Sequence, residues 1–251
     1  MTITFSEFTS AGLVRKNNQD SILSATKDNF GLFAVADGMG GHFGGEIASG
    51  RLIDALKKWW TEFIANPAKF DVCITEIKSV ITDVNCSIYN EFSKTGKICG
   101  TTLALVLIYE DKYLLINIGD SRIYSLRKKV FSQESVDHVF SKEAKLSGKL
   151  TDEEINIHKN KNKLTSAIGC KEKFKMNVKT APLNASSFFI CSDGVYKFCS
   201  ENDIKRFIKC TDPNKFKKNV QMVVERNGTN DNYSYIKINC INKKHFFNRK
   251  F

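Results

Sequence analysis

Five aspartates carry the pattern that could do chemistry. Asp37, Asp120 and Asp193 each neighbour a glycine (Gly38, Gly119, Gly194), Asp231 closely follows Gly228, and Asp20 ends the polar loop Asn18-Gln19-Asp20. Taken singly, an aspartate so placed is more simply read as an Asx-turn, its side chain capping its own backbone. Five together are harder to explain that way, because converging carboxylates must be neutralised by cations or protons. Carboxylate and carbonyl oxygens, without a His or Cys cluster, suit magnesium or manganese rather than zinc or copper. Two such ions roughly 4 Å apart hold a water between them, lower its pKa and direct it at phosphorus. Gly38 would let its carbonyl reach an ion with no side chain in the way. Arg15 offers a planar guanidinium suited to bidentate phosphate binding, although alone it reads as an ordinary surface arginine.

The elements that must position these residues follow from periodicity. Residues 3–8 alternate apolar and polar, as a half-buried strand does. Residues 21–25 and 30–36 read as two paired strands around Lys27-Asp28-Asn29, the second delivering Asp37 at its end. Apolar residues from Ile47 to Phe63 recur at helical spacing, and a second helix is expected from about Phe70 to Phe92. Runs at 100–108, 113–118 and 123–126 predict an antiparallel meander. From Asp137 to Lys163 the chain is polar and helical, with a cap at Thr151, and reads as an inserted flap with little core of its own. Strands are expected at 174–178 and 187–191, helices near 200–208 and 212–226, and a last strand at 233–241. The alternation is not regular βαβ, so packed antiparallel sheets with outer helices are expected rather than a parallel sheet.

The bulk properties narrow the class. With 251 residues, 42% hydrophobic and 26% charged, the chain can build a real core. Only 3 Pro and 15 Gly argue against long linkers. No apolar run reaches the ~18 residues needed to span a bilayer, and residues 1–7 do not resemble a signal peptide. The 8 cysteines include no Cys-x-x-Cys pair, and several lie in or beside apolar runs, so a reduced, cytoplasmic protein is expected. The net charge of +11 reads first as a solvated, lysine-rich surface and second as attraction to anionic partners. The spacing Gly38-x-Gly40 lacks the third glycine of a dinucleotide loop, since Phe43 stands there, and no Gly-Lys-Ser/Thr element occurs. No Cys-x5-Arg element of a cysteine phosphatase occurs either: Cys199 and Arg206 are one residue too far apart.

Eight stretches then fall in one order: Gly12-x-x-Arg15-x-x-Asn18-Gln19-Asp20; Val35-Ala36-Asp37-Gly38-Met39-Gly40-Gly41-His42 with Gly45-Glu46-x-Ala48-Ser49; Gly100-Thr101-Thr102; Asn117-x-Gly119-Asp120-Ser121-Arg122; Asp137-His138; Leu164-Thr165-x-Ala167-x-Gly169; Ser192-Asp193-Gly194; and Asp231-Asn232. In these the chain resembles the metal-dependent protein serine/threonine phosphatases of the type 2C family, in their compact bacterial form. The resemblance implies one α+β catalytic domain over 1–251, a sandwich of two antiparallel β-sheets with a helical layer on each outer face and a flap near 137–163. It implies that Asp37 bridges two manganese or magnesium ions and that Gly38 offers its carbonyl to one. Asp193 and Asp231 complete the first ion's site, Asp20 and Gln19 (Glu in many relatives) hold metal-bound waters, and Asp120 with Asp193 matches an optional third-metal site. Arg15 binds the substrate phosphate.

The implied reaction is hydrolysis of phosphoserine and phosphothreonine in proteins by an activated water, without a phosphoenzyme, opposing a bacterial Ser/Thr kinase. Phosphorylated proteins and that kinase are the expected partners, with no nucleic acid, no membrane span and a monomeric state. Alternatives are a phosphatase of one regulatory partner, such as an anti-anti-sigma factor, and an inactive phosphoprotein-binding module on the same scaffold. Met39 departs from the His of many eukaryotic relatives, proposed there as general acid, so leaving-group protonation must come from elsewhere. Asn227 and Ser234 are milder departures. His42, His138 and the basic-aromatic tail 245–251 read more simply as local or terminal structure than as sites.

Overall fold

The computed structural model describes residues 1–40, 44–148 and 150–241. His42 and the tail 245–251 therefore lie outside the described residues. One sheet has the order β1 (Thr2–Ser10), β11 (Tyr233–Ile241), β10 (Ser187–Cys191), β7 (Arg122–Arg127), β8 (Val130–Gln133). The other runs β2 (Asp20–Lys27), β3 (Phe30–Met39), β5 (Leu103–Tyr109), β6 (Lys112–Ile118), β9 (Asn177–Pro182), with the two-residue β4 (Gly100–Thr101) also on β3. Every pairing is antiparallel.

β3 shows why the sheets stack. Side chains alternate across a strand, and both faces of β3 are covered. Leu32, Ala34 and Ala36 join a cluster with Leu52, Leu56 and Trp60 of α1 (Gly44–Ala65) and Ile77 and Ile81 of α2 (Phe70–Phe92). Phe33 and Val35 point the other way, into the inter-sheet core with Phe188, Ile190, Ile236 and Ile238. A strand buried on both faces reads as a continuous apolar run. The first sheet's outer face packs Phe189 and Tyr235 against Phe207 of α6 (Glu201–Lys209) and Phe216 and Val220 of α7 (Pro213–Arg226). The result is the expected four layers, helix–sheet–sheet–helix. No helix among the described residues is long and apolar enough to cross a membrane. All eight cysteines are free thiols.

Two expectations are corrected. The meander does not continue past β6: β5 and β6 pair, but β7 joins β10 in the other sheet. The crossing is made at Gly119, whose φ of +87° turns the chain out of the sheet. Asn117 Nδ2 braces the turn by donating to the Gly119 and Ser121 carbonyls at 3.5 and 3.2 Å. Asp120 sits on this crossover. The strand expected at 174–178 is instead β9, three residues later, an edge strand largely exposed to solvent. Phe174 and Met176 supply the apolar signal from irregular backbone, packing against the α1–α2 cluster.

Between Asp137 and Lys163 lie two short helices, α3 (Phe140–Ser147) and α4 (Asp152–Ile157). Thr151 and Glu154 form a reciprocal capping box at the start of α4. Only Ala144 and Ile155 are buried within these helices, which fits a segment without a core of its own.

Candidate metal centre

The carboxylates expected from sequence gather at one end of the sandwich. Asp20 and Asp37 are direct partners in the β2–β3 ladder. Asp37 falls where β3 changes partner from β5 to β4, leaving Thr102 between the two strands. Thr102 fills the gap: its N–H donates to the Asp37 carbonyl at 2.9 Å, and its hydroxyl accepts from the Asp37 N–H at 3.0 Å. Thr101 Oγ1 donates to the same carbonyl at 3.1 Å. With its backbone clamped on both sides, Asp37 presents its carboxylate to a cleft of about 350 Å³. Arg15, Gln19, Gly38, Met39, Asp120, Asp193 and Asp231 line the same cleft.

Asp193 opens the four-residue helix α5 (Asp193–Tyr196), directly after β10. Its carboxylate shares the cleft with that of Asp37 and raises its pKa. Asp231 precedes β11 in a loop pinned by Asn232. Asn232 Oδ1 accepts from the Gln19 N–H at 2.9 Å, while its Nδ2 donates to the Ala11 and Asn17 carbonyls at 3.0 and 2.8 Å. One side chain thus ties the loop bearing Arg15 and Gln19 to the loop bearing Asp231. Gln19 Nε2 also donates to the Gly40 carbonyl at 3.4 Å.

Two glycines are explained by backbone crowding. A Cβ on Gly38 would lie 2.2 Å from the Gly45 carbonyl oxygen and 2.5 Å from that of Gln19. A Cβ on Gly194 would lie 1.9 Å from the Asn232 carbonyl oxygen. These glycines let the loops around the cleft approach each other, a need separate from any ion.

The electrostatics call for cations. Burial pushes the Asp37 carboxyl well above the usual carboxylate range, and Asp20, Asp193 and Asp120 push it further. Burial raises Asp20 to about 7, against hydrogen bonds from Ser234 and Ser192 that favour its charge and with Asp193 and Asp231 adding to the rise. Ser192 Oγ donates to Asp20 Oδ2 at 2.8 Å, but Asp20 Oδ1 is buried without a partner. Burial and Asp193 likewise raise Asp120 to about 6. Clustered, desolvated carboxylates with an orphaned oxygen are what a divalent ion or its waters would satisfy. The residues therefore fit oxygen-coordinated magnesium or manganese.

Two of the chain's own cations also serve these acids. Arg15 Nη2 pairs with Asp231 at 3.1 Å while its Nε donates to the Asn230 carbonyl, and Lys197 pairs with Asp193. Among the described residues no three His, Cys, Asp or Glu side chains are drawn together into a ready coordination group. Ion pairs with Arg15 and Lys197 direct Asp231 and Asp193 toward protein cations. His138 is structural: its Nδ1 accepts from the Gly119 N–H at 3.1 Å, bracing the crossover that carries Asp120. Asp137 is bound by Arg122, whose Nη2 donates to Oδ2 at 2.7 Å.

Sequence reasoning singled out every acidic group in the cleft but gave no role to Thr102, Ser192, Asn232 or Lys197. The first three lie in the stretches Gly100-Thr101-Thr102, Ser192-Asp193-Gly194 and Asp231-Asn232, so adjacency was the available signal. Lys197 offered only its i,i+4 spacing from Asp193.

The fold and this cleft define a class. The protein phosphatase 2C family matches residues 13–232, and the chain belongs to it. The serine/threonine phosphatase stp of Listeria monocytogenes is 31% identical over 205 residues, covering 80% of this chain and 81% of the relative. The serine/threonine protein phosphatase PstP of Mycobacterium tuberculosis is 31% identical over 195 residues, 77% of this chain and 36% of the relative. Among solved structures, the S. agalactiae serine/threonine phosphatase superposes with a TM-score of 0.85 at 26% identity, over 96% of this chain and 100% of that one. The catalytic domain of PstP in complex with two manganese ions gives 0.77 at 25% identity, over 96% and 99%. The enzyme class expected from sequence, a protein serine/threonine phosphatase, is the class of these relatives.

Proposed function

We propose that this chain hydrolyses phosphoserine and phosphothreonine in proteins at a two-ion centre built on Asp37. The observation that carries this reading is the convergence of Asp37, Asp193 and Asp231 on one cleft, beside a buried Asp20 with an unsatisfied oxygen. Asp37 would bridge the ions, Gly38 would lend its carbonyl to one, and Asp193 and Asp231 would complete the set. Asp20 and Gln19 would hold coordinated waters. When bound, magnesium or manganese would lower the pKa of a water for attack on phosphorus and offset the phosphate's charge.

The chain's own residues do the positioning. Arg15 enters the cleft from an exposed loop and can exchange Asp231 for two phosphate oxygens, which a guanidinium binds in fork geometry. Thr102 keeps Asp37 in place through its backbone, and Asn232 pins the Asp231 loop while donating its own N–H to Asp231 Oδ1 at 2.9 Å. No cysteine lines the cleft among the described residues, so a phosphocysteine intermediate has no nucleophile there. Met39 lines the cleft and carries no proton to give a leaving alkoxide. Asn162 and Leu164 line it too. They sit at the end of the 137–163 flap, which would shape substrate access as a subdomain of one catalytic domain.

The partners that follow are phosphorylated proteins and the Ser/Thr kinase that modifies them, with the work done by a cytoplasmic monomer. A phosphatase dedicated to one regulatory protein would use the same centre. An inactive binding module would not need Asp37, Asp193 and Asp231 all at one cleft. The test is phosphate release from a phosphothreonine peptide after chelation and after adding back manganese. Release that returns with manganese supports the proposal, and release indifferent to chelation contradicts it.

A further inference from the structure

Lys197 stands where the family resemblance expects a third ion. Its ammonium pairs with Asp193 Oδ2 and lies 3.9 Å from Asp120 Oδ2. The placement follows from local structure. Asp193 opens α5, and the Lys197 N–H closes the turn on the Asp193 carbonyl at 3.0 Å. An aspartate followed four residues later by a lysine meets it on one helix face.

Asp120 is otherwise served by the chain as well. Tyr196 Oη donates to Asp120 Oδ2 at 3.0 Å. The Tyr196 ring is held in turn by Arg122, whose guanidinium carbon is 3.6 Å from the ring centroid. Arg122 is fixed by both carboxylate oxygens of Asp137. A hydroxyl and an ammonium thus converge on the same oxygen of Asp120.

We infer that Lys197 is a built-in cation that takes the place of the third divalent ion, so that Asp120 orients Lys197 instead of ligating metal. The inference rests on the two-ion reading of the Asp37 centre. An ion entering between Asp120 and Asp193 would have to displace an ammonium that is tethered and paired. Arg15 is a different case. It meets one carboxylate, Asp231, whose side chain is 38% exposed, whereas those of Asp193 and Asp120 are 18% and 8% exposed. Asp231 remains open to exchange with solvent and ions, and the Asp120–Asp193 gap is filled by the chain.

The experiment counts manganese per chain after equilibrium dialysis, by mass spectrometry of the metal. The wild type should hold about two ions, as a two-metal site requires. Lys197→Asn should raise the count to about three, and adding Asp120→Asn to it should bring the count back to about two. Asp120→Asn alone should leave the wild-type count unchanged, which keeps the test decisive if the Lys197 variant does not fold. A wild-type count of three, an unchanged count in folded Lys197→Asn, or a lost ion in Asp120→Asn overturns the inference while leaving the two-ion centre standing. A wild-type count of zero overturns the two-ion reading and the inference with it.

Discussion

Asp20 and Asp37 face each other across the β2–β3 ladder, two acids on neighbouring strands, Asp37 lining the cleft and Asp20 buried beside it. Like charges directly opposite in a sheet are destabilising, so the pair is costly unless a proton or a cation accompanies it. Burial raises both carboxyls, Asp20 to about 7. In the metal-free protein these acids hold protons that the unfolded chain releases near 3.8. The folded state then binds more protons than the unfolded state between those values. Stability must fall as pH rises from about 4 toward 7, by up to about 1.4 kcal/mol per pH unit for one such group. Thermal melts of the chelated protein should show this slope, and Asp20→Asn should flatten it. Manganese should stabilise the wild type more as pH rises, because ion binding expels the protons. A metal-free wild type with the same pH slope as Asp20→Asn would contradict the assignment.

The role proposed for Arg15 is in substrate binding rather than in the metal set. Arg15→Ala should lower kcat/KM for a phosphopeptide by about 10- to 100-fold, the worth of a charge-assisted hydrogen-bond pair. Most of the change should fall on KM, with manganese affinity nearly unchanged. Steady-state kinetics beside a manganese titration checks this, and a larger loss in metal affinity than in KM would move Arg15 out of the phosphate site.

Asn232 is a positioning residue. Asn232→Ala removes one acceptor and two donated hydrogen bonds that join the Arg15 and Asp231 loops. The partners left unsatisfied cost about 1–3 kcal/mol. Loosening Asp231 should weaken manganese binding by about 10- to 100-fold, as outer-shell changes do. Denaturant melts and isothermal titration report the two effects separately. Lower stability with unchanged manganese affinity would make Asn232 merely structural.

Lys197 gives a further distinction. Because its cation neutralises Asp193 and Asp120 without metal, Lys197→Asn should lower the thermal stability of the chelated protein more than that of the manganese-loaded protein. Paired melts with and without chelator measure this. Equal losses in both states would remove the charge-balancing role.

Asp37, Asp120 and Asp193 were legible in the sequence because each sits beside a glycine at the end of an apolar run, whereas Asp20 and Asp231 were marked only by the polar loops that carry them. The long helices and β3 were legible because both bury a regular apolar pattern. β9 was not, since an edge strand with a solvated face carries little alternation, and Phe174 and Met176 placed the signal too early. The switch of sheets at Gly119 was hidden because β6 and β7 look like successive strands of one meander. Their separation depends on a turn and on partners distant in sequence. Thr102, Asn232 and Lys197 were missed as contributors for a similar reason: their work is hydrogen bonding and pairing across loops, which residue type alone does not declare. Gly38 was read as free to offer its carbonyl, and its crowding against Gly45 and Gln19, like that of Gly194 against Asn232, is a separate need that the sequence does not show.

The central claim is that hydrolysis depends on ions held by Asp37. The most direct measurement is turnover of a phosphothreonine peptide by wild type and Asp37→Asn in saturating manganese, with folding of both confirmed by circular dichroism. Loss of the bridging carboxylate should remove several kcal/mol of transition-state stabilisation, a fall of at least about 10³-fold in kcat. A folded Asp37→Asn variant that retains near-wild-type turnover would contradict it.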